Sequence, residues 1–203
     1  MASKEEILKK YRANVRERYD MPDLSDIAAI TYPDPLLQFI NMTRSVGGNA
    51  IEVEKDRDIN DLIRELYPDA KTIASNLPEV TIATLNPDEV GRARDLNGTD
   101  VGIVRGKFGV AENGCVWIPQ SMKEKAVMFI SENLVILLDK TQIVNNMHEA
   151  YKRLSPPGGS ADTADFDDYG YGTFISGPSK TADIAQVLVM GAQAARSATI
   201  LLL

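Results

Sequence analysis

Four short runs near the middle of this chain, residues 101–104, 115–118, 127–130 and 134–138, are almost entirely apolar and are bounded by turn-forming residues. A strand with one wet face alternates polar and apolar side chains. A run that is apolar throughout needs cover on both faces, which is the condition of a strand inside a parallel sheet. Further strands are expected at 50–53, 72–75, 172–176 and 199–203, with 81–85 strand-like or extended. Helices are expected between them, at 36–44, 58–66, 87–94, 141–154 and 180–190, with Pro33, Pro35 and Pro68 as breakers. Alternating strands and helices of these lengths predict an α/β fold: a three-layer helix–sheet–helix domain with a largely parallel sheet. The 203 residues are expected to form one such domain, 1–203, preceded by an N-terminal helix over about residues 4–19. No internal repeat is visible.

That first helix begins at the cap residue Ser3 and carries Glu5 and Glu6 in its first turn. Ile7, Leu8, Tyr11 and Val15 recur at helical spacing, and Lys9, Lys10, Arg12, Arg16 and Arg18 fill the other faces. The basic run reads as a solvated face, with an arm docking on a partner as the alternative. The Pro-, Gly- and Asp-rich stretch 155–169 has few apolar anchors and is expected to be a poorly ordered loop.

Charge and cysteine usage exclude several function classes. The formal net charge is -7, which argues against nucleic-acid binding, because phosphate backbones require clustered Lys and Arg. One cysteine, Cys115, supplies neither a disulfide nor the ligand set of a zinc site or an iron–sulfur cluster. No metal or cluster is therefore expected in this chain, and redox chemistry would require a bound cofactor or a partner. The charged N-terminal stretch and the absence of a long apolar run predict a cytoplasmic protein with no membrane segment.

Two segments carry residues of chemical interest. In the first, Gly172 to Asp183, a strand is expected to run through Gly177-Pro178 into a helix. Ser179 or Thr181 would cap that helix, and its free N–H groups would attract an anion. Ser176, Ser179, Lys180 and Thr181 would complete the site, while Asp183 already answers the helix dipole. The alternatives stay open: an ordinary capped helix, or a site for a small anion such as phosphate or carboxylate. The second segment runs from Phe108 to Ile118. Asn113-Gly114 signals a hairpin turn. Glu112 beside it is either a turn carboxylate, solvated or paired with Arg105 or Lys107, or a nucleophile or base. In parallel sheets, ligands bind outside the carboxyl ends of the strands, and that rule directs attention to both segments. The lone histidine, His148, reads as a half-buried helix residue; Phe108 and Trp117 read as core.

Phe174-Ile-Ser-Gly-Pro-Ser-Lys-Thr-Ala-Asp-Ile184 resembles the signature of the LUD-domain family, best known from lactate-utilisation protein C. Asp100-Val-Gly-Ile103, Ala111-Glu-Asn-Gly114, Leu138-Asp-Lys-Thr-Gln-Ile143 and His148-Glu-Ala-Tyr151 match in the same order. The resemblance implies the NagB/RpiA/CoA-transferase-like fold, shared with ribose-5-phosphate isomerase and formyltetrahydrofolate cyclo-ligase. It implies an accessory role beside iron–sulfur partner proteins that oxidise L-lactate to pyruvate. Ala111-Glu-Asn-Gly114 also resembles the Ser-Glu-Asn-Gly motif of CoA transferases, which implies Glu112 as nucleophile in an alternative, enzymatic reading. A third reading is a non-catalytic interaction module. The chain departs from the family where a Gly-Val-His-Gly-Pro turn is usual: here stands Gly191-Ala-Gln-Ala-Ala-Arg196, with Gln193 in place of the histidine. Asn113 replaces a common Thr.

Overall fold

The computed structural model describes residues 3–17, 19, 27–154, 171–182 and 187–203. The expected loop at 155–169 and the candidate residue Asp183 lie outside the described residues.

Helix α1 (Lys4–Asn14) opens with a full capping box between Ser3 and Glu6, and ends five residues before the expected limit. Helix α2 (Pro35–Ser45) starts on Asp34, whose Oδ1 accepts from the Leu37 N–H at 2.9 Å, with Pro35 preset for the first turn. It feeds strand β1 (Asn49–Glu52). Helix α3 (Ile59–Leu66) is capped by Asp58, whose carboxyl is held below its usual range by the N–H groups of Asn60 and Asp61. Then come strand β2 (Ile73–Ala74), a 3-10 turn (Ala93–Leu96), and strands β3 (Val101–Arg105), β4 (Phe108–Val110) and β5 (Cys115–Pro119). Helix α4 (Val127–Ile130), strand β6 (Asn133–Leu138), strand β7 (Ile143–Val144) and helix α5 (Met147–Leu154) follow. The last strands are β8 (Gly172–Ile175), β9 (Lys180–Thr181), β10 (Val189–Met190) and β11 (Ser197–Leu202).

Strands β1-β11-β6-β3-β2 form a wholly parallel five-stranded sheet. Its alternate side chains feed two cores. Val135, Leu137, Ile103 and Leu201 pack with Ile63 of α3 on one face. Leu134, Ile136, Leu138 and Ile200 pack on the other with Phe39 of α2 and with Val127 and Met128 of α4. Helices therefore flank both faces, as the both-faces-apolar runs require. Full burial of each such Leu or Ile contributes about 1.5–3 kcal/mol. A second sheet, β7-β4-β5-β8, lies beyond the second face. Its inner residues Val116 and Ile118 join that core. Its outer residues Phe108 and Trp117 pack with Phe174 and with Ala150 of α5. Trp117 and Phe174 stand 4.8 Å apart between ring centroids.

Four local expectations change. Residues 127–130 are helix α4, not a strand. A run of only four apolar residues is too short to show a period, and here Ser131 closes a helical turn by donating to the Val127 carbonyl at 2.7 Å. The expected helix 141–154 starts only at Met147. Thr141 folds back on Asp139 in a tight turn, and the β-branched pair Ile143-Val144 joins β4 as a strand. The expected helix 87–94 is instead a turn followed by the 3-10 segment. The ends of the expected helix 180–190 are not helical: Lys180–Thr181 and Val189–Met190 pair as antiparallel strands. Their β-branched and apolar residues suit a strand, and Gly191, with φ 76°, closes the pairing by donating its N–H to the Ser179 carbonyl. In the 81–85 stretch, only Leu85 bridges the sheet, beside Ala74.

Gly102 sits where α4 crosses β3. A Cβ there would lie 2.3 Å from Ser131 Oγ and 2.9 Å from the Val127 carbonyl. Gly102→Ala should therefore destabilise the fold by about 1–3 kcal/mol, read as a lower urea midpoint at unchanged slope. Cys115 is 3% exposed, and burial pushes its thiol up to about 12. Because the folded state disfavours the thiolate, stability should be complete below about pH 9 and fall as pH rises towards 12. The native thiol should accordingly resist iodoacetamide at pH 8 and react on unfolding; rapid native labelling would contradict its burial.

Candidate functional site

Three strands of the second sheet, β4, β7 and β8, end at one place. The β4–β5 loop Ala111–Gly114, the α5 start at Asn145–Met147 and the turn after β8 converge there. The carboxyl end of α2 lies against them. Gly114 has φ 65°, and a Cβ on it would stand 2.7 Å from the Thr43 nitrogen. Gly177 has φ 72°, and its Cβ would stand 2.9 Å from the Val46 carbonyl oxygen. Both turns need glycine twice over, once for the backbone angle and once for the space.

Ser176 Oγ donates to the Asn113 carbonyl at 2.9 Å, so the two segments singled out in the sequence meet. Lys180 Nζ donates to the Val46 carbonyl just past α2, where its charge answers the negative end of the helix dipole. The ammonium has three N–H donors, so this contact leaves capacity for a ligand. The Ser179 backbone N–H donates to the Ala195 carbonyl at 2.9 Å. Thr181 is half-buried in β9, opposite Val189.

A pocket of about 410 Å³ opens beside this turn. Phe129, Leu134 and Ile175 give it apolar walls. Ser176, Ser179, Lys180 and Gln193 line its polar side, with no carboxylate among the described lining residues. Hydroxyls, an amide and one ammonium suit an oxygen-rich anion rather than a metal cation. Among the described residues, no group of three or more His, Cys, Asp or Glu is placed to hold a metal ion.

Two expectations about this site change. The anion rationale of a helix N-terminus is gone, because strand β9 rather than a helix follows the turn. The pocket also lies at the amino ends of β6 and β11, marked by Leu134 and Ala195, rather than at the carboxyl edge of the parallel sheet. The strand-end rule holds only for the second sheet. Its strands were partly hidden, since the β4 interior contains Gly109, needed where a Cβ would meet Phe39 and Ile143 at 2.8 Å. In the sequence Gln193 stands out only as a departure from the family turn; its separation from Ser176 gives no signal that the two line one pocket.

Glu112 does not line the pocket. Its Oε2 accepts from the Met147 N–H at 2.9 Å, so the carboxylate sits on the first turn of α5. Asn146 Oδ1 caps the same helix through the Glu149 N–H at 3.0 Å. The expected pairing of Glu112 with Arg105 is replaced, since Arg105 pairs with Glu79. His148 is exposed on α5. No helix among the described residues is long and apolar enough to cross a membrane.

Removing the carboxylate from the α5 start should cost about 0.5–1 kcal/mol in Glu112→Ala, and less in Glu112→Gln, which keeps an acceptor. Urea titrations would read this, and equal stability of all three proteins would remove Glu112 from any capping role.

Comparison with known proteins agrees with this architecture. The model of the LUD domain matches residues 36–203. A crystal structure of a DUF162 family protein from Deinococcus radiodurans superposes with a TM-score of 0.60 at 14% identity, covering 83% of this chain and 95% of the other. At that identity the likeness concerns the fold alone. No curated protein matches the chain. With the family model spanning the parallel sheet, the second sheet and the pocket turn, the chain belongs to the LUD-domain family.

Proposed function

We propose that this chain is an accessory subunit of a cytoplasmic lactate-utilisation system, binding a small anion in the pocket at Ser176–Thr181. In this reading iron–sulfur partner proteins carry the electrons from L-lactate as it becomes pyruvate. LUD domains are associated with lactate utilisation in general, and one cysteine is too few for a cluster held by this chain. The observation that carries the proposal is the gathering of Ser176, Ser179, Lys180 and Gln193 around one pocket of about 410 Å³, a volume typical of small-molecule sites. Gly177 holds the turn in place, and Thr181 and Asp183 complete the candidate set.

Calorimetry with lactate, phosphate and sulfate tests the pocket. Losing a charge-assisted hydrogen bond is worth about 1.5–3 kcal/mol, so Lys180→Met should weaken anion binding about 10- to 100-fold. Ser179→Ala and Thr181→Ala should also weaken it while the melting temperature barely moves. Asp183→Asn should tighten binding if that carboxylate repels the anion. A parent protein that binds none of these anions at millimolar concentration would sink the site. Deleting the gene should impair growth on lactate and spare growth on glucose.

A second reading, an acyl-CoA transferase-like enzyme using Glu112, is favoured by the Ser176–Asn113 hydrogen bond that ties the Glu112 loop to the pocket turn. There the Glu112 carboxylate would attack a thioester carbonyl and expel the CoA thiolate, leaving an acyl-glutamyl anhydride. A mass shift at Glu112 after incubation with acyl-CoA would favour it.

A further inference from the structure

Helix α1 is an 11-residue helix with a complete capping box, yet none of its side chains is buried. Ile7 and Tyr11, one turn apart, are 58% and 68% exposed, and Leu8 and Val15 extend the same stripe. A helix this short is marginal alone in water and depends on packing its apolar face. It precedes the LUD match, which begins at residue 36, so the domain's own core does not explain the stripe.

Charge indicates what covers it. The first 19 residues hold six basic and three acidic side chains, whereas the remainder holds 16 basic and 26 acidic. The arm is cationic and the body it belongs to is strongly anionic. An anionic membrane would attract the arm but repel the body. A second copy of the chain turns the same asymmetry into attraction on both sides, because each basic arm meets an acidic body. We propose that α1 is an exchange arm: it docks its Ile7–Tyr11 stripe on the acidic LUD domain of a second copy, and the reciprocal contact makes a twofold dimer. Lys9 and Lys10, exposed on α1, supply the electrostatic part of the contact.

Sedimentation of the full chain tests this. The parent should dimerise at micromolar concentration, and salt near 1 M, where the screening length falls to about 3 Å, should weaken the dimer. The double variants Ile7→Asp/Tyr11→Asp and Lys9→Glu/Lys10→Glu should each weaken dimerisation by at least about 10-fold, with the emission of Trp117 in the domain core unchanged. A spin label on Ala13→Cys reports the arm selectively, since Cys115 is buried. Its signal should be immobilised in the dimer and released on dilution. Immobilisation that ignores concentration would mean the arm docks on its own body, and would overturn the proposal. So would a parent that stays monomeric at about 100 µM. So too would a monomer that binds phosphatidylserine vesicles through its arm.

Discussion

The carboxyl end of α2 is the contact on which the candidate site depends. Two turns of the second sheet, at Gly114 and Gly177, close on the backbone of Thr43 and Val46 with no room for a side chain. The helix end offers carbonyls and a negative partial charge, and Lys180 takes up one of those carbonyls. Ser176 then ties the two turns together through the Asn113 carbonyl. The polar groups of the pocket turn are thus held by backbone, which varies little with side-chain rotamer. The same contact joins α2, and through it β1 of the parallel sheet, to the second sheet.

The two sheets divide the work of folding and of presenting groups. The parallel sheet is filled on both faces by Leu, Ile and Val, so it has little polar surface with which to address a ligand. The second sheet has its aromatic layer of Phe108, Trp117 and Phe174 on one side, and polar turns only at its ends. The pocket forms where those ends meet the amino edge of the larger sheet. Chemistry is therefore placed by the smaller sheet, and rigidity is supplied by the larger one.

Much of this was legible in the residues. The apolar runs 101–104 and 134–138 disclosed the parallel sheet, although the run 115–118 lies antiparallel in the second sheet; Asn113-Gly114 disclosed the β4–β5 hairpin, and the run 58–66 before Pro68 disclosed α3. What remained hidden has physical causes. At 127–130 the apolar run is too short to show a period, so helix and strand look alike. At 180–190 the strong turn signal of Gly177-Pro178 was followed by residues that local propensity does not separate into helix or hairpin, and pairing with Val189–Met190 decided the outcome. Of the site, the 176–181 cluster was visible as an excess of polar groups. Its location, its loss of a helix dipole and its neighbour Gln193 depend on long-range packing that no local pattern encodes. Glu112 illustrates the reverse: its type and turn position suggested reactivity, while the structure gives its carboxylate a place on a helix end.

The order β1-β11-β6 has a consequence for how the protein comes into being on the ribosome. Strand β1 pairs with β11 alone, and β11 is made about 145 residues later, yet it stands at the sheet's centre between β1 and β6. During synthesis β1 has no sheet partner until residues 197–202 emerge, and β6, once made, keeps one bare edge until the same point. Pairings this distant in sequence are slow to close. Until then Ala50, Ile136 and Ile200 cannot share one core, and the nascent chain presents apolar strand edges to whatever it meets. Arrival of β11 thus joins the unpartnered β1 to the three-stranded part β6-β3-β2, so assembly of this sheet is gated by residues 197–202 rather than growing outward from β1.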